Sequence, residues 1–436
     1  MKSAQRCGTA ARWPWLRRCA IEGVMSPILY AFPVFLLTMA VEAWLLRRRG
    51  KPGYDVPDAL TSLHAGVLSQ VAGVFTKLLT FAIYVAVYQQ FAIGSWPTDN
   101  WLVWVAALIA YDFGYYWAHR LGHEVGIMWA AHNVHHSSEH FNLSTALRQS
   151  STGGLFGWVV YLPLAVLGMP PMMLAIVGLT NLLYQYWVHT ELIGRLGWLE
   201  YVLVTPSNHR VHHGQNDYCI DRNYGGMFIV WDRLFGTYAD ERADEPVVYG
   251  VRKALKSYDP VWANIHHYVD LAREARATPG WRNKVMVWLA PPGGWHDEKV
   301  QPFDAARFER FAPPAPADIK RYAIVHYVAL VAMLAHFLMV QADLDLASRL
   351  AYAGVILGSA VAIGGLLESK SWAHRVEAGR LAALIAAIIL WPVWFTLATP
   401  FAARVGMVVG LAYCLVWAVR ATRKKAVGAP VMAPAE

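Results

Sequence analysis

The stretch WLVWVAALIAYDFGYYWAHRLGHEVGIMWAAHNVHH, residues 101–136, sets an apolar run directly ahead of five histidines. A bilayer core takes about 20 apolar residues in a helix, so 101–118 reads as a span with the histidines at its end. Similar runs lie on either side of it. Residues 26–46 form one, closed by RRRGK at 47–51, and 67–91 form another. The stretch 155–189 is broken by Pro163 and by MPP at 169–171, which reads as a tight hairpin of two helices. From 190 to about 320 the chain is polar and mixed, and four more runs follow at 322–341, 350–367, 381–399 and 403–420. The expected fold is all-α: a multi-pass transmembrane helical bundle of about nine spans with a histidine-rich di-metal cap on the cytoplasmic side. Residues 1–54 make a tail and first span, 55–260 a catalytic domain, 261–320 a connector, and 321–436 a four-span region with a short disordered tail from 421.

Composition points the same way. Apolar residues make up 56% of the chain and charged residues 16%, against about 45–50% and 25% in ordinary soluble domains. The 20 Trp and 21 Tyr suit rings that sit at a membrane–water boundary. A net charge of +8 would fit nucleic acid, but the basic residues flank apolar runs, so no nucleic-acid partner is expected. Placing 47–51 in the cytoplasm puts 119–153, 190–320, 368–380 and the C-terminal tail there too, with most Lys and Arg. The opposite loops, AIGSWPTDN at 92–100, GMPPM at 168–172 and QADLD at 341–345, are nearly free of them, as the positive-inside rule requires. Cys7, Cys19, Cys219 and Cys414 form no CxxC pair, which excludes a zinc-finger spacing or disulfide framework. The first 24 residues lack the apolar core of a signal peptide, and Met25 stands directly before the first strong run.

Nine of the 17 histidines group into short elements. HRLGH gives His119 and His123. HNVHH gives His132, His135 and His136. His189 stands alone in YQYWVHTE, and HRVHH gives His209, His212 and His213. Residues i, i+3 and i+4 share a helix face, so HxxxH aims two imidazoles at one point and HxxHH aims three. Imidazole suits iron, zinc, copper and nickel. Nine ligands exceed the need of one ion, and two ions sharing the set is the economical reading. Zinc catalytic sites use three protein ligands and a water, and ferritin-like centres use Glu and Glu-x-x-His. Ligand type and membrane setting together favour iron. His64, His140, His266, His267, His326, His336 and His374 read as surface, interfacial or packing residues.

The three boxes resemble those of the fatty acid hydroxylase and sterol desaturase superfamily. DFGYYWAHRLGHEVGIMWAAHNVHHSSEHFNLSTALRQS at 112–150, NLLYQYWVHTELI at 181–193 and TPSNHRVHHGQNDYCIDRNYGGMFIVWDRLFGTY at 205–238 are similar to the alkylglycerol monooxygenase family over roughly 55–260. The resemblance implies two non-haem Fe ions, O2 as oxidant, tetrahydrobiopterin as reductant, and ether-lipid cleavage to a fatty aldehyde. It carries the ligand roles onto the eight box histidines, and makes Glu124 the family's glutamate, a residue that orients a histidine. Fatty acid hydroxylases place a further His where this chain has Gln185. Gln185 is expected either to hydrogen-bond a metal-bound water or to sit in the bundle interior, and no cofactor-binding residue is identified.

Other polar residues invite a role. Asp112 lies inside an apolar run, where an acid is functional by default. Arg148 and Gln149 stand ready for a lipid head group or a histidine, Asn208 and Asn223 for bracing the third box, and WDRLFGTY for anchoring at the interface. The partners implied are a membrane lipid, O2 and an electron donor, in a bacterial inner membrane or the endoplasmic reticulum. Another lipid (sterol, carotenoid or acyl amino-acid lipid) remains open as substrate. A metal transporter would need ligands near the bilayer midplane, and a haem carrier does not need His triplets.

Overall fold

The computed structural model describes residues 14–293, 302–391, 393–398 and 400–428. Their regular structure is almost all helix. In chain order come α1 (Pro14–Arg48), α2 (Val56–Phe91), α3 (Trp101–Glu124), α4 (Gly126–His136) and α5 (Leu143–Ala146). Two 3-10 turns, Gly153–Leu155 and Gly157–Tyr161, lead to α6 (Leu162–Val166) and α7 (Pro171–Trp187). The mixed region holds α8 (Pro206–His212), α9 (Val230–Phe235), α10 (Pro260–Ala277) and α11 (Trp281–Leu289). Last come α12 (Ala317–Val340), α13 (Leu346–Leu367), α14 (Ala373–Leu390), a two-residue hairpin of β1 (Val393–Trp394) and β2 (Leu397–Ala398), and α15 (Phe401–Gly428).

Local chemistry sets the helix starts. The Asp55 carboxylate accepts the Asp58 amide at 3.0 Å to cap α2, and Asn100 caps α3 through the Leu102 amide. Such caps satisfy amides that have no partner inside the helix. The main core joins α2 (Leu60, Leu63, Val67) to α12 (Ala323, Leu330, Phe337) and α13 (Ile356, Ala360, Ile363). A second core joins α3, α6 and α7 through Ala107, Leu164, Met173 and Val177.

Four described helices are long and apolar enough to cross a membrane: Val56–Phe91, Ala317–Val340, Leu346–Leu367 and Phe401–Arg420. The chain is an integral membrane protein. Length and composition alone do not reach nine spans. The first limb of the expected 155–189 hairpin is not a long helix: Gly153, Gly154, Gly157 and Pro163 break it into 3-10 turns and the five-residue α6, since Gly loosens and Pro interrupts the helical ladder. α14 ends at Leu390 and not near 399, just ahead of Trp391-Pro392, where a residue before proline resists helical angles. The tail expected from 421 continues as helix to Gly428. Residues 1–13 and 429–436 lie outside the described residues.

Segments expected on one face do meet. Ile93 N donates to Val166 O, and Trp96 N to Gly168 O, both at 2.9 Å. At the other end Arg49 and Lys51 donate to the carbonyls of Leu192 and Glu191. Glu368 there accepts from Ser257 and from the Tyr258 amide. All nine box and solitary histidines lie at that second end.

Candidate metal centre

Four local structures aim the histidines. α3 carries His119 and His123 on its last turns and stops at Val125, whose extended backbone (φ −122°, ψ 120°) lets α4 turn back against it. α4 then brings His132, His135 and His136 on its last turns. α7 ends just before His189. α8 is held by a reciprocal cap: the Thr205 side chain accepts from the Asn208 amide, and Asn208 Oδ1 accepts from the Thr205 amide. Arg210 fastens this helix through two 2.7 Å contacts to Glu241 and through donation to the Thr190 and Ile193 carbonyls.

The nine histidines gather in two adjoining groups. His119, His123, His132, His136 and His212 form one, and His135, His189, His209 and His213 the other. Within each group the ligand atoms lie within 4.8 Å of one another. The His136 and His213 rings stack at 4.3 Å across the boundary. Each HxxHH triplet is therefore divided, which corrects the expectation that three imidazoles aim at one point. Successive helical residues turn by about 100°, so i and i+4 stay aligned while i+3 swings away. Box two sends His132 and His136 to the first group and His135 to the second. Box three does the reverse, with His209 and His213 in the second group and His212 in the first.

Backbone carbonyls fix the tautomers. Nδ1–H of His119 donates to Tyr224 O at 2.8 Å, that of His135 to Arg148 O at 3.0 Å, that of His189 to Gln185 O at 2.8 Å, and that of His212 to Arg222 O at 2.9 Å. Each Nε2 then keeps a bare lone pair. His189 Nε2 and His135 Nε2 face each other at 3.3 Å with no proton to share. His123 Nε2 and His212 Nε2 are buried with no hydrogen-bond partner among the described residues. Protonation is no remedy, because burial holds His132, His136, His209, His212 and His213 well below the usual histidine range and His135 at about 4. Converging lone pairs in a dry pocket are repulsive unless a cation lies among them. The donor set fits metal ions, with carbonyls on the far ring nitrogens as metal-bound histidines require.

These depressed values give a direction in pH. The unfolded chain takes up protons at about 6.5, while the folded His135 waits until about 4. Between those values the unfolded state binds more protons, so stability rises with pH. Metal-free protein is expected to keep this contribution above pH 6.5 and lose it progressively down to about 4, as thermal melts in detergent across that window would read.

A fatty acid hydroxylase family model matches residues 104–237, the segment that holds all nine histidines. Alkylglycerol monooxygenase of Homo sapiens is 38% identical over 367 residues, covering 82% of this chain and 81% of that protein. The Caenorhabditis elegans alkylglycerol monooxygenase is 31% identical, covering 79% and 73%. The chain belongs to the alkylglycerol monooxygenase family. An ornithine lipid hydroxylase of Rhizobium tropici is 30% identical over a shorter stretch, 47% of this chain and 62% of that protein. No solved structure matches.

For this family member the remaining expected residues take definite places. Glu124 accepts from Arg120 at 2.9 Å, lies 3.5 Å from the Tyr224 hydroxyl, and is about a third exposed. The acid facing His123 is instead Asp221, at 3.7 Å. Gln185 offers its backbone to His189, while its side chain accepts from Tyr115 and donates to Asn181. Asn181 in turn donates to Asp112, which also accepts the Met227 and Phe228 amides and the Trp231 indole. Asp112 thus staples the loop after box three to α3. Arg148 is buried against the Val134 carbonyl, Ser62 and Asp58, and its own carbonyl holds His135. Gln149 donates to the nearby Ala146 carbonyl. Asn223 donates to the Asn208 and Ala239 carbonyls. Leu234 and Phe235 of WDRLFGTY are exposed.

Four residues were missed, among them Asp221 facing His123 and Arg222, whose carbonyl holds His212. Glu42, buried in α1, accepts from Tyr54, from Thr190 beside His189, and from the Leu143 amide at 2.9 Å. Its signal was the one applied to Asp112, a lone acid inside an apolar run. Tyr224, which braces His119 through its carbonyl, has no such signal.

Replacing Gln185 with Leu keeps the carbonyl that holds His189 and strands Tyr115 and Asn181. A loss of about 1–3 kcal/mol in stability with unchanged metal content is expected; metal analysis and a melt on one sample check it.

Proposed function

We propose that the two histidine groups each hold one iron ion and that the chain hydroxylates the ether-linked carbon of an alkylglycerol with O2. The observation that carries this is the pair of adjoining all-nitrogen groups, in which four imidazoles are held by carbonyls with their Nε2 lone pairs turned inward. Bound iron would supply the binding and reductive activation of O2. The balance is one O2, two electrons and two protons per C–H converted to C–OH, with water as co-product. The resulting hemiacetal collapses to a fatty aldehyde and a glycerol. Tetrahydrobiopterin is the reductant proposed, on the family's likeness alone.

The chain's own residues set orientation and exclude water. The Tyr224, Arg148, Gln185 and Arg222 carbonyls keep each imidazole in its ligand tautomer. Phe141, stacked on Tyr249 at 4.9 Å and against His189 and His213, closes one side of the four-histidine group. We place the histidine end on the cytoplasmic side, because the Lys- and Arg-rich segments collect there. α1, α3, α7 and α14 would join the four long apolar helices in the bilayer, with the 3-10 limb before α7 as a short crossing.

Likeness to an ornithine lipid hydroxylase favours an acyl amino-acid lipid as the second candidate substrate. Purified protein with iron, O2 and tetrahydrobiopterin would be given each lipid separately. Aldehyde release from alkylglycerol supports the reading. Hydroxylated ornithine lipid without aldehyde moves the substrate, and no oxygen uptake with either lipid rejects it.

A further inference from the structure

We infer that α11 lies in the membrane interface, with its outer face among the anionic head groups of the leaflet on the histidine side. The helix has two unlike faces. Val287 is buried and, with the partly buried Trp288, packs against Leu271 and Ala275 of α10 and Ala130 of α4. Lys284 reaches the last carbonyls of α10, at 2.8 Å from Ala275 O. Trp281, Val285, Met286 and Leu289 point outward, with Trp281 at 72% and Leu289 at 50% exposure. At about 100° per residue these four span roughly 140° of arc, with Arg282 of the first turn inside it and its guanidinium over the Trp281 ring at 5.5 Å. An apolar stripe that wide on a polar segment needs a cover.

Three observations choose lipid as that cover. The first is depth. α2 is long and apolar enough to cross a membrane, and α3 returns from its far end over 24 residues, about 36 Å. α3 shows an outward stripe of exposed Trp101, Val105, Ile109 and Phe113. It ends at Glu124, and only two residues on the Gly126 amide donates to Ala290 O at 3.0 Å. A Cβ at Gly126 would lie 3.1–3.2 Å from the carbonyls of Val287, Trp288 and Ala290. α11 therefore sits where α3 leaves the apolar layer. The second is a neighbour at the same level: Phe235 of α9 lies 5.2 Å from Trp117 of α3, and Leu234 beside it is 67% exposed. The third is charge. Arg276 in the last turn of α10 and Arg282 in the first turn of α11 are exposed, and Asp270 is paired with Lys253 at 2.7 Å and with Arg273 at 3.6 Å. An aromatic and apolar face set among arginines is the pattern of a helix that lies on an anionic surface.

The placement has a consequence for the site. α11 grips the start of α4, and α4 carries His132, His135 and His136. A helix anchored in the head groups holds that box at the height where a lipid leaves the leaflet.

The test uses the full chain in phospholipid nanodiscs containing phosphatidylglycerol, one chain per disc. A polarity-sensitive fluorophore is attached at Val285→Cys, at Leu289→Cys, or at Asn283→Cys on the polar side, with Cys7, Cys19 and Cys414 changed to Ser. The 285 and 289 probes are expected to be quenched several-fold more by doxyl lipid than by aqueous iodide, and the 283 probe the reverse. Equal access of iodide to all three probes overturns the proposal. So does protection from both quenchers, which would mean cover by the chain itself. Protection only in discs loaded with two chains would assign the face to a second copy and reject lipid.

Discussion

Replacing His135 with Ala is expected to leave one metal ion per chain. His135 belongs to the four-histidine group, and the other five histidines keep their partners and carbonyl braces. Loss of a residue that merely braces a ligand costs about 10–100-fold in metal affinity or activity, so loss of a ligand is expected to lower turnover by ~100-fold or more. Metal content should fall by half, while the metal-free form loses about 1–3 kcal/mol for the Arg148 carbonyl left without its partner. The neighbouring His136→Ala should empty the other group, though it lies one residue away. Equal loss of both ions in both variants would mean that the triplets are not divided as the geometry has them.

Arg148→Met should be the most destabilising single change near the site. The guanidinium is 2% exposed, lies 3.5 Å from Asp58, and donates to the Val134 carbonyl, Ser137 and Ser62. Removing one partner of a buried pair costs about 3–5 kcal/mol, because the other charge stays buried and unpaired. The Asp58→Asn, Arg148→Met double variant should recover part of that loss. Thermal unfolding in detergent reads both. A loss in the single variant no larger than that of an exposed substitution, such as Arg307→Met, would contradict the buried pair.

Much of the centre was legible because ligand spacing on a helix is short-range. HxxxH and HxxHH name eight of the nine histidines without knowledge of the tertiary fold, and His189 stands alone after an apolar run. Their division into five and four was not legible, since it depends on how α4 and α8 approach each other from distant parts of the chain. The same limit applies to the braces. Tyr224, Arg148, Gln185 and Arg222 act through backbone carbonyls, which any residue owns, so side-chain chemistry gave no sign of this role. Gln185 drew notice for its side chain, which faces Tyr115 and Asn181, while its carbonyl holds His189.

Glu42 and Glu124 show two further limits in reading an acid from sequence. Glu42 was legible by the rule applied to Asp112, but was absorbed into an apolar run of otherwise plain composition. Glu124 was singled out by resemblance, yet pairs with Arg120 one turn back. In the membrane part, hydropathy found the long helices and missed the 3-10 limb before α7, because apolar composition does not report the backbone freedom of three glycines.

The most direct test of the central claim is iron stoichiometry with Mössbauer spectroscopy on full-length protein produced in 57Fe and purified without chelators. The account expects two iron ions per chain, both with nitrogen-rich coordination. One ion per chain, no metal, or zinc in place of iron under iron-replete growth would contradict it.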